Sequence, residues 1–187
     1  RIRSRGLGDV YKRQGYHIYK SEAVGTAALG GVIPQTVPVL EDGSIDIEVA
    51  IGKVKSDDMH FPRTKLLCLE NTYNGKPLSP KYMQCATAAA RKVNLRSHLD
   101  GARLMNAAIA NKCTPRELAS SFDTVSLCLS KGLGAPVGSV LVGNQDFINE
   151  ARRVRKMLGG GMRQAGILAA CGIVAMKNQV DRLIHCL

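Results

Sequence analysis

The chain has 187 residues, of which 45% are hydrophobic, and its formal net charge is +11. This length and apolar content are enough for one domain with a sizeable core. No apolar stretch reaches the ~18 residues of a membrane-spanning helix, and the charge is scattered along helical faces, so we expect no membrane and no nucleic-acid partner.

Residues 1–14 differ in composition from the rest of the chain. They contain five basic residues and one acidic residue, and they have neither an initiator methionine nor an apolar signal region. We interpret residues 1–14 as a non-native or disordered leader, and residues 15–187 as a partial cofactor-binding domain. The remaining charge of about +7 suits a site for anionic molecules.

Strands and helices are predicted to alternate through residues 15–187. Apolar runs predict strands over 31–39, 65–69, 93–99, 124–129 and 139–142. Helical spacing and capping residues predict helices over 46–55, 79–93, 114–121 and 146–158, with others after residues 100 and 164. This alternation is typical of an α/β fold with a mostly parallel sheet and helices on both faces.

A single lysine, Lys131, follows the predicted strand 124–129, and Gly132 and Gly134 follow it. Glycines there predict a sharp turn and a close approach of the backbone to a ligand. Partial desolvation of an amine disfavours its ammonium form, which suits Schiff-base chemistry with an aldehyde such as pyridoxal phosphate. Taken alone, the pattern favours a lysine that simply reaches solvent at a strand end.

An aspartate, Asp100, ends the preceding predicted strand, at the position where α/β sheets bind ligands. In pyridoxal enzymes a carboxylate pairs with the pyridine nitrogen and keeps it protonated. Arg103 follows about one helical turn later and is placed to hold an anion. The alternative is that Asp100 caps the next helix, with Arg103 as its surface partner.

Five sequence blocks carry a resemblance to a known family. They read HIYKSEAVGTAALGG at 17–31, LLCLENTYNGKPL at 66–78, HLDGARLMNA at 98–107, LCLSKGLGAPVGSVLVG at 127–143 and RKMLGGGMRQAGILAA at 155–170. In residues, order and spacing they resemble the L-threonine aldolases, which are fold type I enzymes that depend on pyridoxal 5'-phosphate.

This resemblance implies a lyase that cleaves L-threonine or L-allo-threonine to glycine and acetaldehyde by a retro-aldol reaction. It implies a small amino acid substrate, a cytoplasmic place in threonine catabolism and glycine biosynthesis, and a homo-oligomer, either a dimer or a tetramer. It further implies that the chain is a fragment, incomplete at both ends. The alternatives are a related fold type I enzyme, such as an aromatic amino acid β-eliminating lyase, or an inactive truncated product.

The resemblance also implies site residues. Lys131 corresponds to the lysine that binds the cofactor covalently, Asp100 to the partner of the pyridine nitrogen, and Arg103 to an arginine beside the ring hydroxyl and the substrate. His17 corresponds to a histidine that stacks on the ring and acts at the substrate hydroxyl, since imidazole is flat and exchanges a proton near neutral pH. Without the family match, His17 reads as an ordinary loop histidine.

Four further residues receive supporting roles from the same resemblance. Lys156 and Arg163 are expected to reach the cofactor's phosphate, one of them across a subunit interface. Ser130 and Glu22 are expected to support the site.

Tyr73 departs from the family motif, which has histidine at the fifth position of the segment 69–74. The histidine contacts the substrate hydroxyl in that family, whereas a phenol is a reluctant base at neutral pH. We therefore expect Tyr73 to act at the catalytic site with little preference between threonine and allo-threonine.

The six cysteines form no C-x-x-C pair, and most of them lie in apolar runs. This pattern predicts reduced, buried thiols rather than a disulfide framework or a zinc site, so we expect no metal.

Overall fold

The computed structural model describes residues 8–13 and 15–186, and it describes side chains for residues 15–185. The strands are β1 (Gly8–Arg13), β2 (Ile33–Val37), β3 (Arg63–Glu70), β4 (Arg96–Asp100), β5 (Thr124–Cys128) and β6 (Ser139–Val142). The α-helices are α1 (His17–Lys20), α2 (Gly25–Ala28), α3 (Ile47–Gly52), α4 (Pro80–Lys92), α5 (Leu104–Ala110), α6 (Pro115–Ala119), α7 (Gln145–Met157) and α8 (Gly166–Asn178). Short 3-10 segments cover Glu22–Val24 and Asp181–Cys186.

The described strands form one mixed sheet with the order β2-β1-β3-β4-β5-β6. Strands β1 to β5 pair in parallel, and β6 pairs antiparallel with β5. Helices connect the parallel strands, as the crossover geometry of a parallel sheet requires. The predicted α/β class with a mostly parallel sheet is confirmed.

The interpretation of residues 1–14 as a disordered leader differs from the structure over Gly8–Arg13. These residues form β1, which lies between β2 and β3 and hydrogen-bonds to both. The physical reason is that the two neighbours offer unpaired backbone groups on facing edges, which an extended segment can satisfy whatever its charge. The remainder of the predicted leader lies outside the described residues, and its non-native origin stays a prediction.

Helix boundaries follow the capping residues that the sequence contains. Ser79 accepts a hydrogen bond from the Tyr82 N–H at 3.2 Å, and Pro80 occupies the first turn of α4. Thr114 and Glu117 form a complete capping box at the start of α6. These caps confirm the predicted helix starts and orient both helices against the sheet.

The core is built on the two central strands β3 and β4. Leu67, Leu69 and Leu99 are fully buried, and Met83 and Ala86 of α4 pack against the same core cluster. Burying each leucine side chain contributes about 1.5–3 kcal/mol. The carboxyl ends of β3 and β4 are therefore held by the best-packed part of the molecule.

The cysteines are less buried than predicted. All five cysteines with described side chains are free, but only Cys68 is buried. The prediction of burial is wrong for Cys85, which is exposed because it lies on the outer face of α4.

Within the described part of the chain, we find no helix with the length and apolarity needed to cross a membrane.

Candidate active site

Three neighbouring parallel strands, β3, β4 and β5, end at the same edge of the sheet. Glu70 of β3 lies opposite Asp100 of β4, and Asp100 lies opposite Ser126 of β5. The chain then leaves β5 and reaches Lys131 after Cys128. Asp100 is the last residue of β4, and Lys131 follows β5. These two predicted site residues thus lie at the ends of adjacent strands, at the edge where α/β sheets bind ligands.

The turn after Asp100 is fixed by short hydrogen bonds. The Asp100 carboxylate accepts from the Ala102 N–H at 3.1 Å, and the Gly101 N–H donates to the Ser126 carbonyl at 2.8 Å. A Cβ on the buried Gly101 would fall 2.8 Å from that carbonyl, so the position requires glycine. The half-buried Asp100 is therefore held by the backbone of its own strand and of the next one.

The capping alternative for Asp100 is not what the structure contains. Helix α5 begins at Leu104, and its N-cap residue is Arg103, whose side chain makes no cap hydrogen bond. Asp100 instead bonds the connecting turn, three residues before the cap. Arg103 is exposed beside this turn, and its predicted contact with cofactor and substrate stays a prediction.

The loop that carries Lys131 is held at both ends. The Gly134 N–H donates to the Lys131 carbonyl at 2.9 Å, and the Leu129 N–H donates to the Gly138 carbonyl at 2.9 Å. Gly134 has a φ of +71°, and a Cβ on Gly132 would fall 2.5 Å from Asn106 Oδ1. The predicted glycine turn is confirmed, whereas the close approach of Asn106 to this turn was not predicted.

The predicted desolvation of Lys131 is wrong for this chain. Its side chain and that of Ser130 are exposed, because β5 ends at Cys128 and the loop carries both residues clear of the sheet. The described residues around Lys131 therefore position the amine without enclosing it.

His17 is the first residue of α1 and is linked to the same sheet edge. Its backbone N–H donates to Glu70 Oε2 at 2.9 Å, and Glu70 lies opposite Asp100. Its ring Nε2 lies 2.5 Å from Glu22 Oε1. The sequence did not identify Glu70 as the residue that holds the His17 backbone. Its position in the 66–78 block, three residues before Tyr73, could have pointed to a role at the site.

Tyr73 is half-buried close to the segment that leads into α1. Its ring centroid lies 5.7 Å from that of Tyr16, with the two planes tilted by 58°. A Cβ on Gly15 would fall only 2.2 Å from Tyr73 Oη, so the phenol oxygen lies against the Gly15 backbone. Tyr73, the residue that departs from the family motif, therefore lies against Gly15 and Tyr16, the two residues that precede His17 in the chain.

Asn71 holds the start of the Tyr73 loop. Its side-chain amide donates to the Leu78 carbonyl at 3.0 Å and accepts from the Leu78 N–H at 3.1 Å, and Asn71 is completely buried. This pair closes the loop across Tyr73 and supports its position. Sequence analysis did not identify the role of Asn71.

Lys156 lies in the last turn of α7, and Arg163 lies on the connection between α7 and α8. Both are exposed, and the Lys156 side chain packs along Gly161, where a Cβ would fall 2.6 Å from Lys156 Cδ. Their predicted contact with phosphate stays a prediction.

The donor set at the sheet edge fits pyridoxal phosphate. An amine follows β5, a half-buried carboxylate ends β4, and an imidazole is anchored to the end of β3. The glycine turns at 101 and 132 leave no room for side chains in the two loops that connect these groups. This arrangement could supply a covalent attachment point, a partner for a protonated ring nitrogen and a proton acceptor near the ends of three adjacent strands.

Known relatives are similar to this chain over most of its length. A family model described as Beta-eliminating lyase matches residues 5–185, a range that begins inside the predicted leader. The low specificity L-threonine aldolase of Escherichia coli K12 is 52% identical over 170 residues, which are 91% of this chain and 51% of that protein. Low-specificity L-threonine aldolase 1 of Arabidopsis thaliana is 44% identical over 174 residues, which are 90% of this chain and 49% of that protein. The chain spans about half the length of these curated relatives.

Solved structures have the same fold. A threonine aldolase from Leishmania major matches with a TM-score of 0.81 at 24% identity, over 97% of this chain and 55% of that chain. An aminotransferase from Staphylococcus aureus matches with a TM-score of 0.70 at 22% identity, over 96% of this chain and 47% of that chain. The predicted resemblance to L-threonine aldolases is confirmed, and the match over residues 5–185 shows that the chain belongs to the beta-eliminating lyase family.

Proposed function

We propose that the complete protein cleaves L-threonine and L-allo-threonine to glycine and acetaldehyde, with pyridoxal 5'-phosphate as its cofactor. One observation carries the proposal. Asp100 and Lys131 follow adjacent parallel strands in a chain that is 52% identical to the low specificity L-threonine aldolase of E. coli K12.

The cofactor, when bound, supplies an electron sink for the carbanion that forms when the Cα–Cβ bond of the substrate breaks. Lys131 provides the amine that attaches it and that yields to the substrate's amino group. Asp100, whose carboxylate is fixed by the Ala102 N–H at the end of β4, would keep a proton on the pyridine nitrogen. Arg103, at the start of α5, provides a positive charge for an anionic oxygen near this turn.

His17 receives the proton of the substrate hydroxyl, either directly or through a water molecule. The imidazole suits this role because it exchanges a proton near neutral pH. The Glu70 carboxylate holds the His17 backbone N–H at the end of β3, and Glu70 lies opposite Asp100.

Tyr73 limits the discrimination between the two hydroxyl configurations. Its phenol donates or accepts a hydrogen bond but is a poor base at neutral pH. With one imidazole instead of two near the hydroxyl, we expect activity on both threonine and allo-threonine.

We extend the proposal to a cytoplasmic homo-oligomer. Met157, Leu158 and Ile167 expose large apolar side chains beside Lys156 and Arg163, as a surface that meets another subunit does. In such an assembly these two cations would reach the phosphate of the cofactor.

The test uses the full-length protein supplied with pyridoxal 5'-phosphate. Incubation with L-threonine should release glycine and acetaldehyde in equal amounts, and borohydride reduction followed by peptide mapping should place a pyridoxyl group on Lys131. Release of pyruvate and ammonia from an aromatic amino acid, without aldehyde from threonine, would support the β-eliminating alternative. A pyridoxyl group on another lysine would refute the role of Lys131.

A further inference from the structure

We infer that Glu22 is a positioning residue that orients the imidazole of His17 and holds the ring proton on Nε2, which leaves Nδ1 as the proton acceptor. This inference rests on the proposed function, since it assigns the proton-accepting atom of that site. It goes beyond a general supporting role for Glu22, because it names the atom and the state that the carboxylate selects.

The contact itself is short. His17 Nε2 lies 2.5 Å from Glu22 Oε1, while the two side chains are 52% and 70% exposed. An exposed contact of this kind contributes little to stability, because solvent screens it and both side chains lose entropy. Its presence therefore needs a reason other than stability.

The backbone of the segment provides that reason. Glu22, Ala23 and Val24 have φ values of +59°, +49° and +53°, so three successive residues with side chains adopt the left-handed conformation. This conformation costs each of them free energy, and it is rarest for a β-branched residue such as Val24. Such strain persists where surrounding structure enforces it, and it concentrates at functional sites.

The left-handed turn has a clear geometric effect. Residues five apart on a regular α-helix lie on different faces, and only residues three or four apart are neighbours. The chain leaves α1 at Lys20, and the turn brings the carboxylate of Glu22 back to His17, five residues earlier. A right-handed continuation of α1 would separate the two side chains.

Two carboxylates therefore hold different parts of His17. Glu70, at the end of β3, fixes its backbone N–H at 2.9 Å, and Glu22 fixes its ring. An ionised carboxylate only accepts hydrogen bonds, so the ring nitrogen that faces Glu22 must carry the proton. The lone pair is therefore on Nδ1, and we assign this tautomer from the hydrogen bond.

The first readout needs neither cofactor nor turnover. In the full-length protein labelled with ¹⁵N-histidine, His17→Gln assigns the signals of His17 among the four histidines. At a pH where the ring is neutral, Nε2 should appear protonated and Nδ1 unprotonated. In Glu22→Ala the two nitrogen shifts should move toward each other, since both tautomers become populated, whereas Glu22→Gln, which keeps an accepting oxygen, should resemble the parent.

The second readout is kinetic. Glu22→Ala should lower kcat by about 10- to 100-fold, the range found for partners that orient a functional imidazole, with KM for threonine changed less than about twofold. Glu22→Gln should recover most of the loss. Glu48→Ala, which removes an exposed carboxylate from α3, is the matched control and should leave kcat unchanged.

Identical ring spectra for the parent and Glu22→Ala would overturn the inference, as would an equal loss of kcat in Glu22→Ala and Glu22→Gln. Ala23→Pro gives an independent check, because proline cannot adopt a positive φ. It should reproduce the spectrum of Glu22→Ala if the left-handed turn delivers the carboxylate, and a parent-like spectrum would count against the inference. If the parent releases no aldehyde but shows the expected ring spectrum, the proposed function fails and the positioning role stands.

Discussion

Two regions of the candidate site are held in place by different means. Asp100 and Lys131 follow strands whose positions are set by ladder hydrogen bonds and by the buried leucines of β3 and β4. His17 lies on a four-residue helix with no buried residue, where the half-buried Glu70 bonds its backbone and the exposed Glu22 bonds its ring. The strand ends thus place Asp100 and the start of the Lys131 loop, whereas the proposed proton acceptor lies on a segment with little packing of its own.

The strongest test of the strand-end region is Lys131→Ala. Without the amine, the proposed reaction has no attachment point, so turnover should be abolished while the fold is kept, because the Lys131 side chain is exposed. Acetaldehyde release and the visible absorbance of the bound cofactor measure this. Lys92→Ala, at the exposed end of α4, is the control and should retain both. Substantial aldehyde release by Lys131→Ala would contradict the assignment.

The second test compares two aspartates at opposite ends of the sheet. Asp100→Asn keeps the shape of the side chain but removes the negative partner of the ring nitrogen, so kcat should fall by orders of magnitude even if cofactor still binds. Asp123→Asn, before the start of β5, changes the same chemical group away from the ligand edge and should leave kcat close to that of the parent. Equal kcat values for the two variants would mean that Asp100 only stabilises the turn that follows β4.

The Tyr73→His variant tests whether the less packed region of the site, which carries His17, limits the rate of the reaction. If a second imidazole helps to move the hydroxyl proton, kcat/KM for threonine should rise, by ~10²-fold at most. Tyr73→Phe is the control that removes the hydroxyl but keeps the ring contact with Tyr16. A fall in kcat/KM on Tyr73→His would instead favour a site built around the phenol, as in a β-eliminating lyase.

The difference between the regions also explains what could be predicted from the sequence. The strands around Leu67, Leu99 and Val125 are apolar runs with turn residues between them, so periodicity identified them. The caps at Ser79 and Thr114 are local signals as well. These patterns were enough to place Asp100 and Lys131 at the ends of two predicted strands.

Long-range contacts were beyond such patterns. The hydrogen bond from His17 to Glu70 joins residues 53 positions apart, and no local spacing announces it. The exposure of Lys131 depends on where the loop leaves β5, not on its composition. The left-handed turn at Ala23 has no glycine to signal it, so sequence rules predict an ordinary conformation there.

Ala23→Gly tests whether that turn is strained. Glycine adopts the left-handed conformation freely, which relieves a cost of about 1–2 kcal/mol but loses up to about 1 kcal/mol in chain entropy. The free energy of unfolding should therefore rise by up to about 1 kcal/mol, read from the urea midpoint. Ala88→Gly, on the exposed face of α4, has right-handed backbone and should lose about 1 kcal/mol. A loss of the same size in both variants would mean that residue 23 carries no strain.

The smallest expected effect concerns acid stability at the far end of the sheet. Burial raises the pKa of the Asp123 carboxyl. Hydrogen bonds from the Ser97 N–H and hydroxyl, together with the charges of Arg96 and Arg91, lower this pKa by more than burial raises it. The pKa of Asp123 therefore lies below the ordinary value. A carboxyl whose pKa is lowered by folding stabilises the protein above its unfolded pKa of about 3.9, and that contribution is lost as the pH falls through the folded pKa. The free energy of unfolding of the parent, read from the urea midpoint, should drop more between pH 7 and pH 3 than that of Asp123→Asn, by less than about 1 kcal/mol because Asp123 is exposed. Asp146→Asn, on the exposed first turn of α7, should keep the steeper parental dependence, whereas the same pH dependence for Asp123→Asn and the parent would show that the Ser97 pair contributes nothing.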